Sequence, residues 1–177
     1  MLIVEGPDGG GKTRLIERLS KSLEWPVAPR VVSKDAEAMV DLVKWVEENL
    51  EGDLQPVIYD RHRLISEPIY GPLLRGDMEE GFCSLPWLRD KQTWLRSINP
   101  FVIFCLPPLE TVHGNIREDP DNTVVWGRIN QIYWLYHNLA ASWPGTCATW
   151  DYTEDDYHRL FTRIYYWAFR EGLKSNA

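Results

Sequence analysis

Cysteine is scarce in these 177 residues: Cys83, Cys105 and Cys147 are widely spaced, odd in number and form no C-x-x-C pair. They do not make a disulfide framework and read as reduced, packing residues of a cytosolic protein. Basic charge is also short, with 19 Lys and Arg against 26 Asp and Glu, a net charge of −7. That excludes a surface gripping nucleic acid along its whole length and leaves room only for a local basic site. No apolar run approaches membrane-spanning length, and the N-terminus leads straight into a strand, so neither a membrane partner nor a secretory leader is expected. Internal repeats and low-complexity tracts are absent too. Hydrophobic residues at 44% and charged residues at 25% are ordinary for a globular protein, and the length suits one domain over residues 1–177. Tryptophan is the exception in the other direction. Nine of them, in so short a chain, supply core packing and material for aromatic walls around a flat ligand.

Residues 1–13 read MLIVEGPDGGGKT. Leu2, Ile3 and Val4 form the short apolar run of a parallel strand buried on both faces. From Gly6 to Thr13 the chain fits G-x-x-x-x-G-K-[ST] without a mismatch. Gly6, Gly9, Gly10 and Gly11 let the backbone wrap an anion with its N–H groups inward. Lys12 brings positive charge to the β- and γ-phosphates, and the Thr13 hydroxyl is a ligand for Mg²⁺. The helix expected from Arg14 onward points its N-terminus at the same phosphates. A strand before and an amphipathic helix after make this a nucleotide phosphate site.

Strands are expected at residues 26–32, 56–59, 101–106 and 146–150, with helices at 36–50, around 65–70 and at 85–98, 109–117 and 124–142. Thr153 is the expected N-cap of a last helix running to about Arg170. With the first strand this makes an α/β fold, a three-layer P-loop NTPase core with a five-stranded parallel sheet. Ligands should lie beyond the carboxyl ends of the strands. Asp60 emerges at that edge and is read as a magnesium or acceptor contact, and Arg61 beside it must meet a phosphate or a carboxylate. Asp8 lies inside the phosphate loop, where a carboxylate needs a use such as a sugar hydroxyl or a metal-bound water. The polar insert EDPDN at 118–122 reads as part of a short lid over about 117–128, flanked by Arg117 as the first candidate for closing over phosphates and Arg128 as the second. In the acceptor segment, about 61–97, Tyr70, Phe82 and Trp87 can sandwich a base and Arg75 can meet a phosphate. Trp126, Tyr133 and Trp134 follow a helical pattern and read as structural.

Glu5-Gly6-Pro7-Asp8 through Thr13, then Val57-Ile58-Tyr59-Asp60-Arg61 with Ser66 and Tyr70, resembles the thymidylate kinase family and its deoxynucleoside kinase relatives. Residues 101–108 are similar to the family's fourth strand and following proline. The resemblance implies ATP as donor with Mg²⁺, Asp60-Arg61 facing the acceptor nucleotide, an arginine-bearing lid, and Asp8 near the acceptor sugar. Two features depart from it. Gly9 or Gly10 stands where some members carry a phosphate-loop arginine, and Ser33-Lys34-Asp35 replaces an R-E-P-G type segment. Asp35 bears on the acceptor. A monophosphate attacks through an oxygen that is already anionic, whereas a hydroxyl gains from a general base. Related nucleoside and polynucleotide kinases place that base just after the second strand; the other reading of Asp35 is a helix N-terminal residue. The expected activity is transfer of the γ-phosphoryl of ATP to a deoxynucleotide. The rival is transfer to a hydroxyl of a nucleoside, a polynucleotide or a hydroxymethylated base in DNA. A slow nucleotide switch is the reading from another class, against which no N-K-x-D motif is found. A homodimer stays open.

Overall fold

The computed structural model describes residues 1–29, 56–75, 86–117 and 123–173. Four strands, β1 (Leu2–Glu5), β2 (Ile58–Asp60), β3 (Phe101–Cys105) and β4 (Cys147–Trp150), pair in parallel in the order β2-β1-β3-β4. Among the described residues seven helices accompany them: α1 (Lys12–Leu23), α2 (Arg63–Arg75), α3 (Pro86–Ser97), α4 (Leu109–Arg117), α5 (Thr123–Trp126), α6 (Ile129–Ser142) and α7 (Tyr157–Arg170). The register Val4↔Asp60 and Val4↔Ile103 brings the ends of β1, β2 and β3 to one edge.

The strands read as unbroken apolar runs because both faces are covered, yet alternate residues still part between two cores. Leu2, Val4, Ile103 and Cys105 pack with Leu15, Leu19, Leu160 and Ile164 of α1 and α7. Met1, Ile3, Val102 and Phe104 pack with Leu64, Ile69, Leu95, Ile132 and Tyr136 of α2, α3 and α6. The three-layer α/β arrangement is therefore as expected. The strand count is not. Among the described residues there are four strands, not five, because the stretch expected at 26–32 contributes a single parallel bridge from Val27 to Ile58 at the outer edge of β2. Residues 30–32 and the helix expected at 36–50 lie outside the described residues.

Three further differences have local causes. The helix around 65–70 extends over thirteen residues, α2, despite Pro68 and Pro72. Proline lacks the N–H that would reach four residues back, and the Leu64 carbonyl accepts instead from Gln92 Nε2 of α3 at 2.9 Å. The pattern at 124–142 divides at Gly127-Arg128 into α5 and α6, with Arg128 N–H turning back to the Val125 carbonyl at 2.9 Å. The last helix is capped by Asp156, which accepts from His158 N at 2.9 Å, and not by Thr153. Thr153 is spent on Asp151, whose Oδ1 takes both its N–H at 2.9 Å and its hydroxyl at 2.6 Å. Of the residues read as structural, Tyr133 is buried, but Trp126 and Trp134 are about half exposed. Cys105 and Cys147 are free thiols.

Leu19 is wholly inaccessible where α1 meets β1 and α7. Leu19→Ala should cost roughly 2–5 kcal/mol, the range for a buried leucine whose site cannot collapse, read as a lower urea midpoint at unchanged slope.

Candidate functional site

β1 is buried, so it delivers the glycine loop rigidly to the sheet edge. Gly6 and Gly11 take φ of +137° and +83°, and both have neighbours too close for a side chain. A Cβ at Gly6 would lie 2.5 Å from the Cys105 carbonyl oxygen, and one at Gly11 would lie 2.6 Å from the Tyr152 ring. Gly11 caps α1 without any side-chain bond, which leaves the helix N-terminus to the loop. Lys12 is buried, and its Nζ donates to the carbonyls of Gly6 at 3.0 Å and Pro7 at 2.6 Å. Burial, helped by the like charge of Arg61, lowers its pKa to about 8 while Asp8 opposes the fall, so the ammonium still carries charge at neutral pH.

The second component comes from β2. Asp60 is its last residue, and the next, Arg61, adopts φ +65°, an uncommon conformation for a non-glycine residue. Two bonds hold that turn. Arg61 N–H extends the ladder to the Val4 carbonyl at 3.0 Å, and His62 N–H donates to Glu5 Oε1 at 2.6 Å. The strained residue thus directs its guanidinium back over the loop. Arg61 Nη2 donates to Asp8 Oδ1 at 2.7 Å and to the Tyr70 hydroxyl at 2.7 Å, and the Tyr70 hydroxyl donates to Asp8 Oδ2 at 3.0 Å. The guanidinium also lies 4.6 Å from the Tyr70 ring centre. Burial would raise the Asp8 pKa, but Arg61, Lys12 and the two donated hydrogen bonds outweigh it and hold the carboxyl below its usual range. Arg61 Nε is buried without a protein partner, so donor capacity is left over.

Beyond the loop lies an open cavity of about 1000 Å³, lined by Asp8, Gly9, Gly11, Lys12, Thr13, Arg14 and Asp60 on the side of the glycine loop. Asn115, Trp150, Tyr152, Asp155, Asp156 and Tyr157, with Leu15 and Arg18, line the rest. Asn115 Nδ2 donates to the Gly9 carbonyl at 2.7 Å and to the Tyr152 hydroxyl at 2.8 Å, tying α4 and the segment after β4 to the glycine loop. Arg18 lies 3.5 Å from the centre of the Tyr157 ring. The lining thus joins the glycine loop and its cations to aromatic faces that carry charged neighbours, Arg18, Asp155 and Asp156. The donor set suits a hard cation: the Thr13 hydroxyl and the Asp60 carboxylate are oxygen ligands of the kind Mg²⁺ takes alongside phosphate. Among the described residues no group of three or more His, Cys, Asp and Glu forms a protein-only metal cage.

The residues expected in the loop therefore converge with Asp60, Arg61 and Tyr70. Tyr70 differs in manner, since it is buried and meets Arg61 and Asp8 in place of standing as an open base platform. Arg128 is exposed at the N-cap of α6 and does not line the cavity. Arg75 ends α2, Trp87 sits in the first turn of α3 and Arg117 ends α4; only their backbone positions are described. Asp35, Phe82 and residues 118–122 lie outside the described residues. Sequence reasoning missed Arg18, Asn115, Tyr152 and Tyr157. Tyr152 was detectable, because it follows a strand at the same edge that singled out Asp60. Nothing in the pattern around Asn115 marked it.

This is the fold of the deoxynucleoside-kinase-like P-loop kinases. Among solved structures, the YorR protein of Bacillus subtilis, in complex with phosphorylated GDP, superposes with a TM-score of 0.67 at 18% identity, covering 97% of this chain and 96% of that one. The deoxyadenosine kinase of M. mycoides with dCMP and a flexible dCDP gives 0.59 at 14% identity over 96% and 98% of the two chains. The same enzyme with dATP gives 0.52 at 17% over 95% and 98%. No protein-family model and no curated protein sequence matches the chain. Among the described residues no helix is long and apolar enough to cross a membrane.

Glu5 lies wholly buried beneath this site, accepting from His62 N–H and, at 2.9 Å, from the Tyr136 hydroxyl. Burial outweighs those bonds and the nearby cations and raises its pKa from 4.5 to about 7. A raised folded-state pKa contributes stability that is full below the unfolded value and is lost as pH climbs through the folded one. Between about pH 5 and about pH 8 the wild type should therefore lose up to about 3 kcal/mol relative to Glu5→Gln. Urea titrations at each pH measure this; parallel stability profiles for the two proteins would contradict it.

Proposed function

We propose that the chain is a phosphotransferase that moves the γ-phosphoryl of ATP to a deoxynucleotide. The observation that supports this best is the position of the Asp8–Arg61–Tyr70 cluster directly beside the Lys12 loop. A nucleotide hydrolase or switch needs only the loop, whereas a transferase needs a second polar recognition group within reach of it. Here Lys12, the loop N–H groups and the α1 N-terminus bind donor phosphates, and Asn115, Tyr152 and Tyr157 face the donor's nucleoside end. Asp8 accepts a sugar hydroxyl, and Arg61, with donor capacity beyond Asp8 and Tyr70, orients the acceptor. Thr13 and Asp60 would hold Mg²⁺, which offsets phosphate charge when bound. Arg117 at the end of α4 is the lid arginine of this reading.

A hydroxyl acceptor is the second reading, favoured by the name deoxyadenosine kinase that the M. mycoides neighbours carry. Asp35 is then the general base that takes the proton of the attacking alcohol.

Labelled ATP offered with monophosphates, nucleosides, plain DNA and hydroxymethylated DNA separates the acceptors. Label should appear in the deoxynucleoside diphosphate formed from an added monophosphate; release only as inorganic phosphate under every condition would overturn transfer in favour of the switch. Lys12→Ala should lower kcat by roughly 10²–10³-fold, the cost of a lost transition-state donor. Asp35→Asn should leave monophosphate phosphorylation within about twofold, whereas a loss of roughly 10²-fold or more in transfer to a nucleoside would assign it the base's role and make the acceptor an alcohol.

A further inference from the structure

Arg18 lines the cavity six residues along α1 from Lys12, about 9 Å further down the helix axis. Its posture is not that of an ordinary surface arginine. The guanidinium centre lies 3.5 Å from the centre of the Tyr157 ring, the separation of two stacked planes. That ring is itself anchored. Its hydroxyl donates to Ser22 Oγ at 3.1 Å, it stacks on Phe161 at 6.0 Å with planes 25° apart, and it meets Trp150 edge-on at 6.4 Å. Arg18 is thus the outermost member of an aromatic cluster rooted in β4 and α7. Among the described residues its N–H groups make no hydrogen bond or ion pair, although Asp155 and Asp156 line the same cavity. Holding so long a side chain still costs conformational entropy, and the fixed ring meets that cost before any ligand arrives. An arginine retained by its flat face offers a plane as well as a charge.

Two ligand groups suit a guanidinium on a cavity wall: a phosphate and a planar ring. The surroundings decide between them. Asp155 and Asp156, both exposed, set two negative charges against the single positive charge of Arg18 and repel an anion there. Stacking is far less sensitive to that balance. Nor do the neighbouring polar groups form a hydrogen-bonding frame. Both N–H groups of the Asn115 amide are taken, by the Gly9 carbonyl and the Tyr152 hydroxyl. Asp155 Oδ2 accepts the Asp151 N–H at 2.6 Å, and Asp156 Oδ1 accepts the His158 N–H at 2.9 Å. What this part of the cavity offers a ligand is a cationic plane with acceptor oxygens nearby. We propose that Arg18, held flat on Tyr157, is the platform on which the base of the donor nucleotide stacks, and that it favours a purine through the larger area of its rings. The proposal rests on the reading of this cavity as the donor site and adds to it the residue that selects the base.

Calorimetric titration of the full chain in Mg²⁺ with two probes tests it. One is the non-hydrolysable imido analogue of ATP, which carries a base; the other is inorganic triphosphate, which does not. Arg18→Ala should weaken the ATP analogue about tenfold, the loss of one stacking contact, and leave inorganic triphosphate within about twofold. Arg18→Lys should behave like the alanine variant, because it keeps the charge and loses the plane. Both changes fall at an exposed helix position, where substitution leaves the fold intact. The UTP analogue should bind the wild type more weakly than the ATP analogue and lose less on Arg18→Ala. In transfer assays the loss should appear in the donor KM and not in the acceptor KM. Equal weakening of both probes, or recovery with lysine, would make Arg18 a phosphate ligand and overturn the proposal. So would an alanine variant that binds the ATP analogue as the wild type does. A wild type that binds neither probe would remove the donor site itself, a failure distinct from loss of the platform alone.

Discussion

The contact between Asp8 and Arg61 joins two parts of the chain 53 residues apart, and the geometry of the site follows from it. A carboxylate inside a glycine loop of this kind is unfavourable where an anion is to be held, because it repels what the loop's N–H groups attract. Here it is neutralised by a guanidinium at 2.7 Å and further satisfied by the Tyr70 hydroxyl. With Lys12 included, the three formal charges leave one positive unit at the loop, so the carboxylate is retained for hydrogen bonding without cancelling the attraction for phosphate. The cost appears in the backbone of Arg61, held at positive φ.

That strain is sustained from below. Glu5, the last residue of β1, takes the His62 N–H and the Tyr136 hydroxyl, which links the central strand, the turn after β2 and α6 through one buried carboxyl. Burial also drives the neighbouring His62 down to about 3, so it remains a neutral packing residue across the physiological range. The site is therefore supported by a layer in which the Glu5 carboxyl and its two donors are inaccessible to water and satisfy one another, while His62 Nε2 is buried without a protein partner among the described residues. Such a layer fixes the direction of Arg61 in a way that a surface turn could not. The other half of the cavity is built differently. Asn115 and Tyr152 are open to solvent and reach the glycine loop by side-chain contacts alone, so that wall is held more loosely than the Arg61 wall.

The parts legible in the sequence were those where one residue type answers one physical demand. The loop's shape was legible because Gly6, Gly9 and Gly11 hold positive φ, a backbone that favours glycine. Asp60-Arg61 stood out through position at the end of an apolar run, and the expectation that Arg61 must meet an anion is met by Asp8. What escaped depended on partners distant in sequence. No local signal shows that Gln92 of α3 can take over the carbonyl left by Pro68, so α2 seemed shorter than it is. Asp151 collects the donors of Thr153, and the cap passes to Asp156. The strand expected at 26–32 has the right composition, but only Val27 finds a pairing partner among the described residues.

Parallel topology explains why two such different walls meet at one loop. β1 is central, with β2 on one side and β3 then β4 on the other, and all four end at the same edge. The turn after β2 carries Arg61 towards Tyr70 on α2; the turn after β4 carries Tyr152 towards Gly11. The glycine loop between them is touched from both sides, by Arg61 at Asp8 and by Asn115 at Gly9, one residue apart. Gly9 has φ +75°, and a Cβ there would lie 2.9 Å from the Val112 carbonyl oxygen, so that backbone has no room to accommodate a side chain. The loop is therefore a backbone segment against which both walls of the cavity bear.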